Sequence, residues 1–332
     1  MDKYKIAEFL PYGREPILRR MKDGSLVCLF LTGGPREPDN DNVVKIVRSE
    51  DDGKTWSEPK VLFSHKNRAC WSTELFTDCD KPFSIVQTYY APSTYVEIQT
   101  YLSYPSDDGK DWTNPISLPT AIKSCSVRQG LKLSNGDILF PVYWQEERNG
   151  YDWSTAKSEE NAGKALFTSG VIISSDGCEN FYGYGRFALS DSNLWEPNVV
   201  EIDNGHLIIY MRHSGDNSGY LYLSESFDYG RTWQKPVQSS IPNADTKVSV
   251  VKIKSKVFMI NNFTTSKART NLAVAVSDDG KDFKQIINVE DSLEKWFYPH
   301  AYVDYEKETL YLAYENSKQH YLKKYSFKEI GL

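Results

Sequence analysis

The sequence predicts an all-β chain, a six-bladed β-propeller marked by Asp-box turns. Two observations carry this. An octet of the form Ser-x-Asp-x-Gly-x-Thr-Trp recurs along the chain, each copy after a short apolar run such as Val43-Val44-Lys45-Ile46-Val47 or Leu272-Ala273-Val274-Ala275-Val276. No long helical period interrupts these runs, and strand formers alternate with turn formers throughout.

The octet is complete at Ser49 to Trp56 and at Ser226 to Trp233. It is partial at Ser106 to Trp112 and at Ser277 to Phe283, and a remnant stands at Ser174-Ser175-Asp176-Gly177. The glycines at 53, 109, 177, 230 and 280 are separated by 56, 68, 53 and 50 residues. Each box reads as a tight β-turn. The aspartate caps the turn with its own side chain, the glycine takes a conformation closed to other residues, and the aromatic tucks back under the hairpin. That assigns the boxes to structure, not to catalysis or calcium binding. A period of 50 to 70 residues holds about four short strands, so 332 residues accommodate about six blades. Five carry a box or its trace, and the two termini would build the sixth. No linker or charge run marks a boundary, so residues 1–332 are expected to form a single propeller domain. The polar, aromatic segment Tyr143 to Gly163 reads as a long loop and accounts for the widest spacing.

Composition narrows the function. The net charge of −6 argues against partnership with nucleic acid or an acidic membrane. An acidic protein that binds an anion must concentrate positive charge locally. The five cysteines (Cys28, Cys70, Cys79, Cys125, Cys178) are odd in number and form no metal pattern, which points to free or buried thiols. The five histidines (His65, His206, His213, His300, His320) show no metal spacing either, and nothing requires a metal or an organic cofactor. No stretch approaches membrane-spanning length. Met1-Asp2-Lys3-Tyr4-Lys5 leads into no apolar signal region, so a cytoplasmic protein is expected, or a secreted one if a leader has been removed.

Between the boxes, Trp195 to Arg212 forms a strand, an Asp203-Asn204-Gly205 turn and a second strand. This hairpin carries Glu196 near its start and Arg212 near its end, 16 residues apart. Arg269-Thr270-Asn271-Leu272 precedes the last box, and Tyr12-Gly13-Arg14-Glu15-Pro16 stands near the N-terminus.

With those motifs, nearly the whole chain resembles the exo-sialidase (neuraminidase) family of Asp-box propellers. The resemblance implies three arginines clamping a substrate carboxylate, which a guanidinium pairs with in fork geometry. They match Arg14, with Arg19 and Arg20 close by, then Arg212 and Arg269. It implies a tyrosine nucleophile activated by a glutamate. Glu196 matches the glutamate. Tyr298, in Phe297-Tyr298-Pro299-His300, matches the tyrosine ahead of Leu312-Ala313-Tyr314-Glu315, with Tyr302 as runner-up and substrate contact. It places an acid/base in the loop Thr32 to Asn42, where Asp39 fits by residue type, Glu37 by spacing, and Asp41 is a third choice.

Other residues suggest weaker roles. Arg128, in Ser126-Val127-Arg128-Gln129-Gly130, opens another hairpin and could line the site. His213 and His300 stand beside the matched positions, and Trp71, Trp144, Trp153 and Trp195 are candidates for stacking on a sugar. The expected activity is exo-acting retaining hydrolysis of a terminal carboxylate-bearing sugar, sialic acid or a related 2-keto-3-deoxy acid, from an acidic glycan or oligosaccharide. The alternatives are a propeller hydrolase or lyase on another acidic polysaccharide, such as a uronic-acid glycan, and a non-catalytic carbohydrate-binding propeller. The sequence leaves the oligomeric state open.

Overall fold

The computed structural model describes residues 2–8, 12–90, 97–120, 122, 124–145, 166–215, 218–290 and 293–332. Of the segment Tyr143 to Gly163 expected as a long loop, Tyr143, Trp144 and Gln145 instead end a strand, and the rest, with Trp153, lies outside the described residues. The chain divides into two compact units, residues 1–117 with 294–332, and residues 118–293. Among the described residues, each holds three antiparallel sheets.

In the first unit, one blade runs β2 (Gly13–Arg20), β3 (Leu26–Thr32), β4 (Val43–Ser49), β5 (Lys60–Phe63). A second runs β6 (Ala69–Phe76), β7 (Phe83–Tyr89), β8 (Gln99–Ser103), β9 (Ile116–Ser117). The third joins both termini: β1 (Lys3–Glu8) pairs with β25 (Gln319–Ser326), followed by β24 (Thr309–Glu315) and β23 (Phe297–Asp304). This is the shared blade that the box count predicts.

In the second unit, β10 (Cys125–Val127) and β11 (Leu131–Lys132) both pair with β12 (Ile138–Gln145), which continues to β13 (Phe167–Ser174) and β14 (Tyr182–Phe187). The next blade is β15 (Asn193–Asp203), β16 (His206–Ser214), β17 (Tyr220–Ser226), β18 (Val237–Pro242). The last is β19 (Ser249–Ile253), β20 (Lys256–Asn262), β21 (Leu272–Ser277), β22 (Lys284–Asn288).

The boxes form as read. In all five, the serine hydroxyl donates to the aspartate two residues on, at 2.7–2.8 Å. The glycines take φ between 66° and 85°. Trp56, Trp112 and Trp233 donate their indole N–H to the box glycine carbonyl. The remnant at Ser174 works as a full box, with Asn180 donating to Asp176 through both backbone and side chain. Apolar faces of neighbouring blades meet within each unit. Leu18, Phe30 and Val47 pack on Tyr311 and Leu322, and Leu139 and Ile173 pack on Leu207 and Ile209.

Candidate active site

Three first strands carry the same irregularity. In β2, β15 and β23 the register slips between Arg14 and Ile17, Trp195 and Asn198, and Phe297 and His300. At each slip a residue before proline adopts a left-handed backbone: Glu15 (φ 51°), Glu196 (φ 43°) and Tyr298 (φ 46°). Side chains other than glycine reach that region at a cost of about 1–3 kcal/mol. A bulge re-aims its side chains out of the strand's alternation. The dipeptides Glu15-Pro16, Glu196-Pro197 and Tyr298-Pro299 were the available sequence signal, since a proline within a strand marks a bulge or an edge.

In the first unit the site is built around Arg14. Its Nη1 lies 2.8 Å from Glu315 Oε1, and its Nε donates to the Tyr12 hydroxyl at 2.7 Å. Tyr12 donates in turn to Glu37 Oε2 at 2.8 Å, and Glu37 is 3.9 Å from Arg14 Nε. The guanidinium carbon sits 4.3 Å from the ring centre of Phe297 and 5.3 Å from that of Tyr298. Burial works against the Arg14 charge, but Glu315, Tyr12 and Tyr298 outweigh it and hold its pKa above the ordinary value. Tyr298 is 8% exposed. Burial and the Glu37 charge push the Tyr12 phenol well up, so it stays a neutral donor.

The other first-unit candidates separate from this cluster. Asp39 is half-buried and spends Oδ1 on the Asp41 N–H at 3.0 Å. A Cβ on Gly34 would stand 2.8 Å from the Asp39 Cβ, so only glycine lets the loop close over that residue. Asp41 is exposed. Tyr302 sits four residues along β23, packs on Tyr311, and lines a cavity of about 420 Å³ with Arg20 and Asp304. Arg20 bridges Asp52 and Asp304 at 2.7 Å each, and Arg19 bonds Glu74 at 2.7 Å and His300 Nε2 at 3.0 Å. Both arginines serve blade packing, as does His300.

In the second unit, Glu196 and Arg212 pair at 2.6 Å, both more than nine-tenths buried. Burial alone would raise the Glu196 pKa; the charges of Arg212, Arg128 and Arg269 outweigh it and hold the carboxyl below its ordinary value. Arg212 Nε also bonds Asp245 Oδ1 at 2.6 Å, and Arg269 Nη2 donates to the Asp245 backbone carbonyl at 3.1 Å. Trp195, the register partner of Arg212, lies under its guanidinium at 4.3 Å and stacks on Phe167 at 5.1 Å. Trp195 therefore supports the arginine, while Trp71 and Trp144 are buried core residues. His213 bonds Ser192 at 3.0 Å. Asp245 and Tyr12 were missed in the sequence, because Arg212 and Arg269 reach Asp245, and Glu37 reaches Tyr12, only through folding. Among the described residues, no cluster of three His, Cys, Asp or Glu side chains could hold a metal ion.

Comparison with known proteins follows the same lines. A family model described as BNR repeat-like domain matches residues 24–311. A sialidase of Bacteroides fragilis (strain YCH46) is 22% identical over 325 residues, covering 83% of this chain and 54% of its own. The chain thus spans about half the length of that relative. Among solved structures, the Hadza microbial sialidase Hz136 superposes with a TM-score of 0.74 at 16% identity, covering 96% of this chain and 66% of that one. The intramolecular trans-sialidase from Ruminococcus gnavus, in complex with oseltamivir carboxylate, gives 0.72 at 12% identity, covering 97% and 96%. These likenesses show the fold to be the six-bladed β-propeller that the sequence predicts.

Proposed function

The chain belongs to the BNR repeat-like domain family, and from that premise we propose that it is an exo-acting, retaining glycoside hydrolase of the sialidase type. Its substrate is a glycan ending in a carboxylate-bearing sugar, sialic acid or a related 2-keto-3-deoxy acid. The observation that carries this is the buried concentration of positive charge around Glu196. In a protein of net charge −6, Arg212, Arg128 and Arg269 all act on that one carboxylate. Such an arrangement suits an anionic sugar.

The roles follow the matched positions. Arg14, Arg212 and Arg269 bind the substrate carboxylate. Tyr298 attacks the anomeric carbon as the bond to the leaving oxygen breaks, and Glu196 accepts the phenol proton. A neutral nucleophile suits a reacting centre that already bears a carboxylate. A carboxyl group of the loop holding Glu37 and Asp39 protonates the leaving oxygen, and water then releases the sugar. The relatives named as sialidases support this class of substrate.

The test is release of 4-methylumbelliferone from its α-sialoside by the wild type, Tyr298→Phe and Glu196→Gln. Turnover by the wild type that falls by at least about 10²-fold in both variants is expected. A wild type inert on the sialoside but active on a uronate glycoside would replace this reading with the alternative acidic glycan.

A further inference from the structure

We propose that Asp245 is a positioning residue that sets the geometry of two arginines at once, fixing the acid-sugar clamp of the second unit; this rests on the sialidase-type reading above. Asp245 lies 33 residues from Arg212 and 24 from Arg269 in sequence. Its side chain bonds Arg212 Nε at 2.6 Å while its own backbone carbonyl accepts from Arg269 Nη2 at 3.1 Å. One residue thus fixes the distance between two cations that otherwise repel.

The backbone there is built for the purpose. Asp245 has φ 51°, a left-handed conformation that aspartate tolerates better than most side chains. The turn is pinned from several sides. The Asp245 N–H donates to the Asn243 carbonyl at 2.8 Å, the Asn243 amide donates to the Thr246 carbonyl at 2.9 Å, and Asn261 donates to Pro242 and Asn243. Ser214 closes a ring: its hydroxyl donates to Asp245 Oδ1 and accepts the Trp195 indole N–H at 2.8 Å. Trp195 in turn carries the Arg212 guanidinium on its face. Arg212 is therefore held by Glu196, Asp245 and an aromatic plane. The Asp245 side chain keeps 24% exposure, so core filling does not explain it.

The fork of a guanidinium recognises a carboxylate only in a narrow set of orientations. Removing the Asp245 side chain takes from Arg212 one of the contacts that orient its guanidinium, while the backbone carbonyl that anchors Arg269 remains in place. The effect falls on binding of the substrate's carboxylate, which appears in KM with kcat less affected.

The experiment compares the wild type with Asp245→Asn, which keeps an acceptor for the Arg212 N–H, and Asp245→Ala, which does not. Calorimetry measures binding of the 2,3-unsaturated derivative of sialic acid and of its methyl ester. Arginine Nε–H resonances, assigned with Arg212→Lys and Arg269→Lys, report the clamp without substrate. Expected is a preference for acid over ester that falls at least tenfold in Asp245→Ala and stays within about threefold in Asp245→Asn, with KM following the same order. The Arg212 resonance should shift in Asp245→Ala, whose missing carboxylate accepted from its Nε. Unchanged preference and an unchanged Arg212 resonance in Asp245→Ala overturn the proposal while leaving the sialidase reading intact. A wild type that binds neither compound overturns the sialidase reading, and the resonances alone then decide the role of Asp245. Should Asp245→Ala not fold, Asp245→Ser, too short to reach the guanidinium, carries the same comparison.

Discussion

Arg14 and Glu315 pair at 2.8 Å across 301 residues of sequence, and the glutamate side chain is wholly buried. Both belong to first-unit blades, Arg14 at the start of β2 and Glu315 at the end of β24. A guanidinium left without this partner would lose a charge-assisted hydrogen bond worth about 1.5–3 kcal/mol.

The consequence is measurable in substrate binding. Glu315→Gln keeps the shape and an acceptor but removes the charge that fixes Arg14. We predict a fall of about 10- to 100-fold in kcat/KM for an acidic glycoside, carried mainly by KM. Steady-state kinetics check it. A variant with wild-type KM would show that Arg14 needs no such partner.

Glu37 and Asp39 divide the loop between them. Glu37 sits 3.9 Å from Arg14 and accepts the Tyr12 hydroxyl, so its carboxylate is already engaged as an acceptor. A general acid must instead carry a proton into the reaction. Asp39, half-buried and bonded to its own loop through Oδ1, stands outside those contacts, and we assign the acid role to it. We predict that Asp39→Asn slows cleavage of an alkyl-linked sialoside by about 10²–10⁴-fold, and a 4-methylumbelliferyl sialoside, whose leaving group needs little help, far less. Glu37→Gln should affect both leaving groups equally. Equal loss in Asp39→Asn, or leaving-group dependence in Glu37→Gln, would reverse the assignment.

The blades were legible because an Asp box is local. Its serine, aspartate, glycine and aromatic find one another within eight residues, as Ser226 to Trp233 do. The Glu196–Arg212 hairpin was legible for the same reason, since its Asn204-Gly205 turn fixes which residues face across. What stayed hidden was long-range. Nothing around Asp245 marks it until folding brings Arg212 and Arg269 to it. Trp195 read as a sugar platform because an aromatic's partner cannot be told from its residue type; in the fold its face is taken by Arg212. Hairpin length favours Tyr298 over Tyr302 but says nothing of their surroundings; in the fold the bulge at Pro299 sets Tyr298 beside Arg14, and Tyr302 lies among packing residues.

The Arg19–Glu74 pair tests how the first unit tolerates buried charge. Both side chains are nearly or fully inaccessible, and they meet at 2.7 Å between β2 and β6. Removing one partner strands the other's charge away from water, at a cost of about 3–5 kcal/mol. Replacing both with apolar residues of similar volume removes the desolvation penalty as well. We predict that Glu74→Ala is strongly destabilising by urea denaturation, and that Arg19→Met with Glu74→Leu recovers most of the loss. A double variant no better than Glu74→Ala would mean that His300, 3.0 Å from Arg19, depends on the charge.

His320 governs a window of acid sensitivity. It is fully buried, edge-on to Phe30, and burial, with the nearby Arg14 charge, pushes its pKa down to about 3. The unfolded chain binds a proton at this residue near pH 6.5, the folded chain near 3. Between those values the unfolded state holds more protons, so folding stability falls as pH falls, with a slope approaching about 1.4 kcal/mol per pH unit. Above pH 6.5 neither state binds the proton and the contribution is flat. The box aspartates Asp51, Asp108, Asp176 and Asp279, held at about 2, lose their stabilisation only below about pH 4. The interval from pH 4 to 6 therefore separates the imidazoles from the boxes. His213, lowered by burial, adds to the same interval, so the comparison needs His320→Gln measured beside His213→Gln. We predict that His320→Gln flattens the dependence of urea midpoint on pH across that interval by more than His213→Gln does. An undiminished slope in His320→Gln would show that the imidazole is protonated as readily in the fold as outside it.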